Sequence, residues 1–159
     1  MTQETDSVSE DLSQPFISAT LSILSSMAGM SASVGKPYLK KTKTASGSVS
    51  AIVGVTGDMR GSIAVSFSHS CATALVKGML GSDIQDSIEE IQDAVGEVAN
   101  MISGQARAGL KNTGLALQGS TPTVIMGDNH IIRHISNAPA NAIPFETASG
   151  SFTVEYCLE

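Results

Sequence analysis

Hydrophobic and polar positions change period along the chain. From Asp11 to Met30 apolar residues recur three and four apart, and Phe16, Ile23, Leu24 and Met27 share one stripe, which predicts a helix. Pro15 suits only the first turn of such a helix, because its ring nitrogen has no hydrogen to donate further in. Gly29 and Gly35 end it. Residues 47–56 then alternate, with Val49, Ala51, Val53 and Val55 on one side, and residues 61–67 alternate with Ile63, Val65 and Phe67. The turn-rich "GDMRG" between them completes the pattern of a β-hairpin. A short helix fits 69–80. Ser82, with Gln85 three residues on, opens another in the manner of a capping box. Asp83, Asp86, Glu89, Glu90 and Asp93 fill its early turns, where the helix dipole favours negative charge. That helix is expected to reach about Lys111, with a break near Asp93–Gly96.

Strand patterns follow at 115–118, 122–126, 130–136, 142–148 and 151–157. In the last, Phe152, Val154 and Tyr156 alternate with Thr153, Glu155 and Cys157, and "ASG" at 148–150 is turn-forming. Helix, hairpin, helices and then strands predict an α+β fold: an antiparallel-rich β-sheet packed by long α-helices. Residues 1–10 are polar and are expected to form a flexible tail before a single domain over 11–159. "TASGSVS" at 44–50 is echoed by "TASGSFT" at 147–153, each leading into a strand pattern, although stretches this short also recur by chance.

One helix breaks the rules of its own element. "GEVANMISGQARAGL", Gly96–Leu110, keeps Ile91, Val95, Val98, Ile102, Ala106 and Gly109 on one side of a helical wheel. On the other side stand Asp93, Glu97, Asn100 and Gly104. Glu97 and Asn100 are i, i+3 neighbours, and Gly104 lies a turn beyond Asn100. An interior glycine costs up to about 1 kcal/mol relative to alanine. Asparagine competes for backbone hydrogen bonds and is a poor interior helix former. The result is a small, flat, polar surface with a notch that admits a close approach. A merely solvated outer face is the plainer alternative. Arg107, beyond Gly104, either meets an acidic partner rim or is itself solvated.

Composition narrows the classes. The chain is 42% hydrophobic and 15% charged, a globular rather than a disordered composition. Tryptophan is absent, so Ala, Val, Ile, Leu and Met must build the core. A net charge of −6 argues against a nucleic-acid partner, which demands a basic face. The lysines at 36, 40, 41 and 43 are read as a solvated, protected strand edge. Cys71 and Cys157 have no metal or redox spacing and are expected to be buried free thiols in a reducing compartment. The N-terminal stretch resembles neither a signal nor a transit peptide, and no apolar run is long enough for a membrane, so a cytoplasmic location is expected. "HSC" at 69–71 suits a helix start better than a metal site. His130 and His134 are expected on an exposed strand face. "GMSASVGKP" at 29–37 fails as a phosphate loop, because its glycine spacing is one residue too long and Pro37 replaces Ser or Thr.

The chemistry open to Glu97 and Asn100 is limited. An amide cannot act as a general base, but it accepts and donates hydrogen bonds and can orient a water. Orientation suffices when the substrate is already activated, as an acyl phosphate is, because phosphoryl transfer depends largely on positioning. An interaction worth about 3 kcal/mol gives roughly a hundredfold in rate. Glu97 beside it could pair with a partner's lysine or arginine.

"EVANMISG" resembles the signature helix of the chemotaxis phosphatase family that includes CheC, CheX and FliY: Glu-x-x-Asn, a small apolar run, then Gly. "FISATLSILSSMAGM" in the opening helix and "TPTVIMG" after the site helix resemble the CheX branch, and the likeness spans roughly residues 12–157. The resemblance implies a CheX-like α+β fold and hydrolysis of the aspartyl phosphate of a CheY-like response regulator. Asn100 would place the attacking water and Glu97 would pair with the regulator's lysine. From the helix face rather than from the resemblance, Asp93, Gly104 and Arg107 are read as candidate partner contacts. The Mg²⁺ would be held by the regulator, leaving this chain without a cofactor. A homodimer through sheet edges is also implied. Ser18 and Leu21 occupy the positions that would carry Glu and Asn in a second, opening-helix site, so one site per chain is expected. The rival expectation is a non-catalytic module that binds a receiver domain or itself, since fold does not fix function.

Overall fold

The computed structural model describes the backbone of residues 2–81, 87–135 and 138–159, with side chains from Leu12 onward. Its elements run α1 (Thr2–Ala28), β1 (Ala32–Val34), β2 (Tyr38–Leu39), β3 (Val49–Gly57), β4 (Gly61–Phe67), α2 (His69–Leu80), α3 (Ile88–Lys111), β5 (Leu117–Gly119), β6 (Thr123–Met126), β7 (Asn141–Thr147) and β8 (Gly150–Leu158). The described strands form one eight-stranded antiparallel sheet in the order β1-β7-β8-β4-β3-β5, with β2 also on β7 and β6 also on β3. The α+β architecture expected from the pattern is the one found.

The three helices cover one face of the sheet. Val49, Ala51, Val55, Ile63, Val65 and Phe67 of the first hairpin, with Ile143, Phe145, Phe152, Val154 and Tyr156 of the second, pack under Phe16, Leu24, Leu75, Val95, Val98 and Ile102. Phe16 of α1 stacks on Tyr156 with ring centroids 4.5 Å apart. Helix α3 has α1 and α2 beside it and β3, β5 and β6 beneath. This surrounds it more completely than a two-sided contact and explains why Ala94, Gly96, Ala99 and Ser103 are buried alongside the expected stripe.

Several boundaries differ from the pattern-based reading. Helical backbone continues through residues 2–10, the stretch read as a tail, so Pro15 sits inside α1 rather than in its first turn. Proline there removes a backbone hydrogen bond, at a cost of about 3 kcal/mol in a regular helix interior. Its ring lies against α3, where a Cβ added to Gly109 would come 3.1 Å from Pro15 Cβ. Met27 is exposed, and the buried residues of α1, among those described, are Ser13, Phe16, Ala19, Thr20, Leu24 and Ala28. Thr20 enters the core because its hydroxyl donates to the Phe16 carbonyl at 2.7 Å.

Helix α3 starts at Ile88 with Ser87 as its cap, the Glu90 N–H donating to Ser87 Oγ at 3.2 Å. The expected cap at Ser82 and Gln85, with Asp83 and Asp86, lies outside the described residues. The break expected near Asp93–Gly96 does not occur, because Gly96 is a packing glycine: a Cβ there would meet Val124 Cγ2 at 3.3 Å. Of the strand expected over 130–136, residues 130–135 are not a strand and Ile131 makes a single bridge to Thr44, while 136 lies outside the described residues. β1 and β2 carry too few residues for a period to register.

The second face of the sheet is covered too. Segments around Ala45 and Ile132 pack on Ala64, with Ile52 against them. Thr153, Glu155 and Cys157, which alternation assigns to a polar face, are therefore buried. Both cysteines are buried and free, as expected. Among the described residues no helix is long and apolar enough to cross a membrane.

Candidate functional site

The outer side of α3 presents a strip of residues spaced four, three, four and three apart: Asp93, Glu97, Asn100, Gly104 and Arg107. At about 1.5 Å per residue the strip is roughly 21 Å long. Asp93, Glu97 and Asn100 are exposed, and Gly104 and Arg107 are half-buried. The expected site residues thus come together on one face, as the wheel implies. Residues spaced like Glu97 and Asn100 hold their Cβ atoms about 5–6 Å apart. Among the described residues, no hydrogen bond or ion pair engages either side chain.

What holds this strip in place lies beneath it. Val98, Ala99 and Ile102 are fully or almost fully buried and alternate with the site residues along the helix, so the backbone under Glu97 and Asn100 is anchored. The interior glycines of α3 divide by environment. Gly96 and Gly109 face close neighbours, Val124 and Pro15. A Cβ on Gly104 would meet only the Arg107 Nη2, at 3.8 Å. No packing contact requires a glycine at 104, and the space above it is open. A carboxylate and a carboxamide thus project side by side next to bare helix backbone. Such a surface can hydrogen-bond a water and an ammonium group brought to it by a partner, and it can enter a concave site.

Comparison with known proteins identifies the family. Residues 49–146, which include the whole of α3, match the sequence profile of the family described as chemotaxis phosphatase CheX. The chain belongs to the CheX family. It is 30% identical over 100 residues to the CheY-P phosphatase CheX of Thermotoga maritima, a match taking in 62% of this chain and 64% of that protein, just under two thirds of its length. The crystal structure of a chemotaxis protein CheX from Desulfovibrio desulfuricans superposes with a TM-score of 0.88 at 57% identity, covering 93% of this chain and 99% of that one. The CheX–CheY–BeF3–Mg²⁺ complex from Borrelia burgdorferi gives a TM-score of 0.75 at 27% identity, covering 92% and 96%.

A second polar cluster lies on the opposite face of the sheet, and sequence reasoning missed it. Glu155 on β8 is 1% exposed and pairs with Lys40 Nζ at 2.8 Å and His134 Nε2 at 3.1 Å. His134 Nδ1 is 2.7 Å from Ser62 Oγ, which also accepts from the Ile135 N–H at 3.2 Å. Burial, the largest single influence, disfavours the charged Glu155. Hydrogen bonds from His134 and Lys40, with their charge, outweigh it and hold Glu155 below the usual carboxylate range. Lys40 therefore does not belong to a solvated edge, because the sheet buries its counter-ion. His130 and His134 do not stand on an exposed strand face either. His130 Nε2 is 2.7 Å from Ser50 Oγ, and both rings lie near sheet serines. The order Ser62–His134–Glu155 has the connectivity of a nucleophilic relay, but Ser62 is fully buried. It ties loop to sheet. The signal for this cluster was a lone glutamate within an apolar alternation; its partners lie 21 and 115 residues away and could not be found by spacing.

Proposed function

We propose that this chain hydrolyses the aspartyl phosphate of a CheY-like response regulator in chemotaxis or a related two-component pathway. The observation that carries the reading is the unengaged Glu97–Asn100 pair beside the open backbone of Gly104, in a chain of the CheX family. The Asn100 amide oxygen accepts from a water O–H and aims the water oxygen at phosphorus, in line with the aspartyl oxygen. The new P–O bond forms, the aspartyl P–O bond breaks, and a free carboxylate and inorganic phosphate result. Asn100 removes no proton, which matches a loose transition state that depends on positioning. Glu97 pairs with the regulator's lysine and so sets the register of the two proteins. Asp93, Gly104 and Arg107 complete the contact strip.

Two relatives support the choice of substrate. One is a CheY-P phosphatase. The other was crystallised with CheY, BeF3 and Mg²⁺, and BeF3 is a general chemical mimic of a phosphoryl group. The reading assigns the Mg²⁺ to the regulator and no cofactor to this chain. It also assigns self-association to the sheet edge formed by β1 and β2, where Val34, Tyr38 and Leu39 are exposed.

The test is release of inorganic phosphate from a phosphorylated receiver in large molar excess over this chain. Many turnovers per chain are expected. Tight binding with no acceleration would identify the chain as a receiver-binding module and reject the enzyme.

A further inference from the structure

Arg107 is held more firmly than a surface arginine. Its Nε donates to the Oγ of Ser103, a buried residue one turn earlier, at 3.2 Å. A Cβ built on Gly119 of β5 would come 2.9 Å from Cζ, 2.9 Å from Nη2 and 3.0 Å from Nε. Three atoms of a planar group at nearly one distance mean that the guanidinium lies face-on to the Gly119 backbone. Any side chain at 119 would displace it. With its edge bonded and its face stacked, the group has lost the freedom that usually dilutes surface ion pairs.

Among the described residues no other hydrogen bond engages its remaining donors. Among the described residues no carboxylate forms an ion pair with Arg107 or with Lys111, which lines the same concavity of about 580 Å³ between α3 and β5. The one carboxylate lining that space, Asp58, accepts from the Ala116 N–H at 2.8 Å. The basin therefore carries a net positive charge on a chain whose total is −6. Its position relative to the site is fixed by helix geometry. Arg107 follows Asn100 by seven positions, which returns to the same face of the helix roughly 10 Å further along.

We propose that Arg107, backed by Lys111, is a preorganised receptor for a carboxylate side chain on the docked receiver, and that it selects receivers bearing an acidic residue roughly 10 Å from the phosphorylated aspartate. The proposal rests on the phosphatase reading above. Arginine suits the task because its fork meets a carboxylate with two parallel hydrogen bonds, which lysine cannot do.

The test measures affinity for a BeF3-loaded receiver from the same cell, and steady-state kinetics on the phosphorylated form, for wild type, Arg107→Lys and Arg107→Glu. Arg107→Glu is expected to weaken binding by about tenfold or more, and Arg107→Lys by less. The loss should fall on KM, with kcat moved far less, and binding by Arg107→Glu should lose part of its dependence on salt. Reversing the matching acidic residue of the receiver to lysine should restore much of the lost affinity. Arg107→Gln serves in place of Arg107→Glu if that variant does not fold. Wild-type affinity in Arg107→Glu, while wild type still dephosphorylates the receiver, overturns this proposal and leaves the phosphatase reading standing. Weakened binding that no receiver charge reversal repairs overturns it as well. A wild-type chain that binds no receiver overturns both.

Discussion

Gly96 and Gly109 stand where a Cβ would crowd Val124 and Pro15, at 3.3 and 3.1 Å, whereas Gly104 faces open space beside Arg107. The same residue type thus reports packing at two positions and access at the third. Replacing Gly104 by alanine removes a helix penalty of about 1 kcal/mol without a steric conflict, so thermal stability should rise slightly. Gly104→Leu should keep that stability yet weaken the receiver complex by about tenfold, because the bulk falls in the approach path. Calorimetric melting and a binding titration check the two signs separately. A variant that binds normally would remove Gly104 from the contact. The outward residues of α3 were legible in the sequence because a polar pair and a glycine sit against an otherwise regular period. Glu155 was not, because burial of its face comes from segments distant in sequence. Glu155 also makes the clearest pH prediction. Its folded-state pKa is depressed, so its contribution is present above the unfolded value of about 4.3 and is lost as pH falls through the folded value. Glu155→Gln leaves Lys40 buried without its counter-charge, a loss of about 3 kcal/mol near neutrality. In urea unfolding measured across an acid pH series, this variant should show a shallower decline than wild type. An equally steep decline would place the acid sensitivity elsewhere.

Elements with a strong period and a stop signal at each end were read closely. The strand over 61–67 and the helix over 69–80 match β4 and α2 residue for residue, since a turn and the Ser68 cap bound them. β1, β2 and the non-strand at 130–135 defeat periodicity for opposite reasons: the first two are too short, and the third has its alternating side chains pinned by hydrogen bonds to sheet serines. The helix layer depends on close backbone contact as well as apolar burial. A Cβ on Gly78 of α2 would run into the Ala28 carbonyl at the end of α1. Gly78→Ala should therefore lower stability by about 1–3 kcal/mol despite its better helix propensity. Denaturant unfolding reads this directly. An unchanged or increased midpoint would mean that α1 can shift away from α2 without loss.

Across the molecule, the described strands form one sheet with two covered faces, and the faces do different work. The helix-covered face supports α3, whose outer strip is the candidate active surface. The other face is tied down by Lys40, His134 and Glu155, which carry no part of the proposed chemistry. The β1/β2 edge remains open, and its exposed Val34, Tyr38 and Leu39 are the proposed seat of self-association. Tyr38→Lys with Leu39→Lys should shift sedimentation toward the monomer while the chain stays folded. An unchanged sedimentation coefficient would assign any dimer to another surface.

The central claim is that Asn100 positions water for phosphoryl transfer. The most direct test is the decay of a phosphorylated CheY-like receiver with catalytic amounts of wild type or Asn100→Ala, alongside the affinity of each for the BeF3-loaded receiver. Asn100→Ala is expected to bind the receiver nearly as well as wild type but to accelerate decay about a hundredfold less. Decay that remains as fast with alanine at position 100 would contradict that claim.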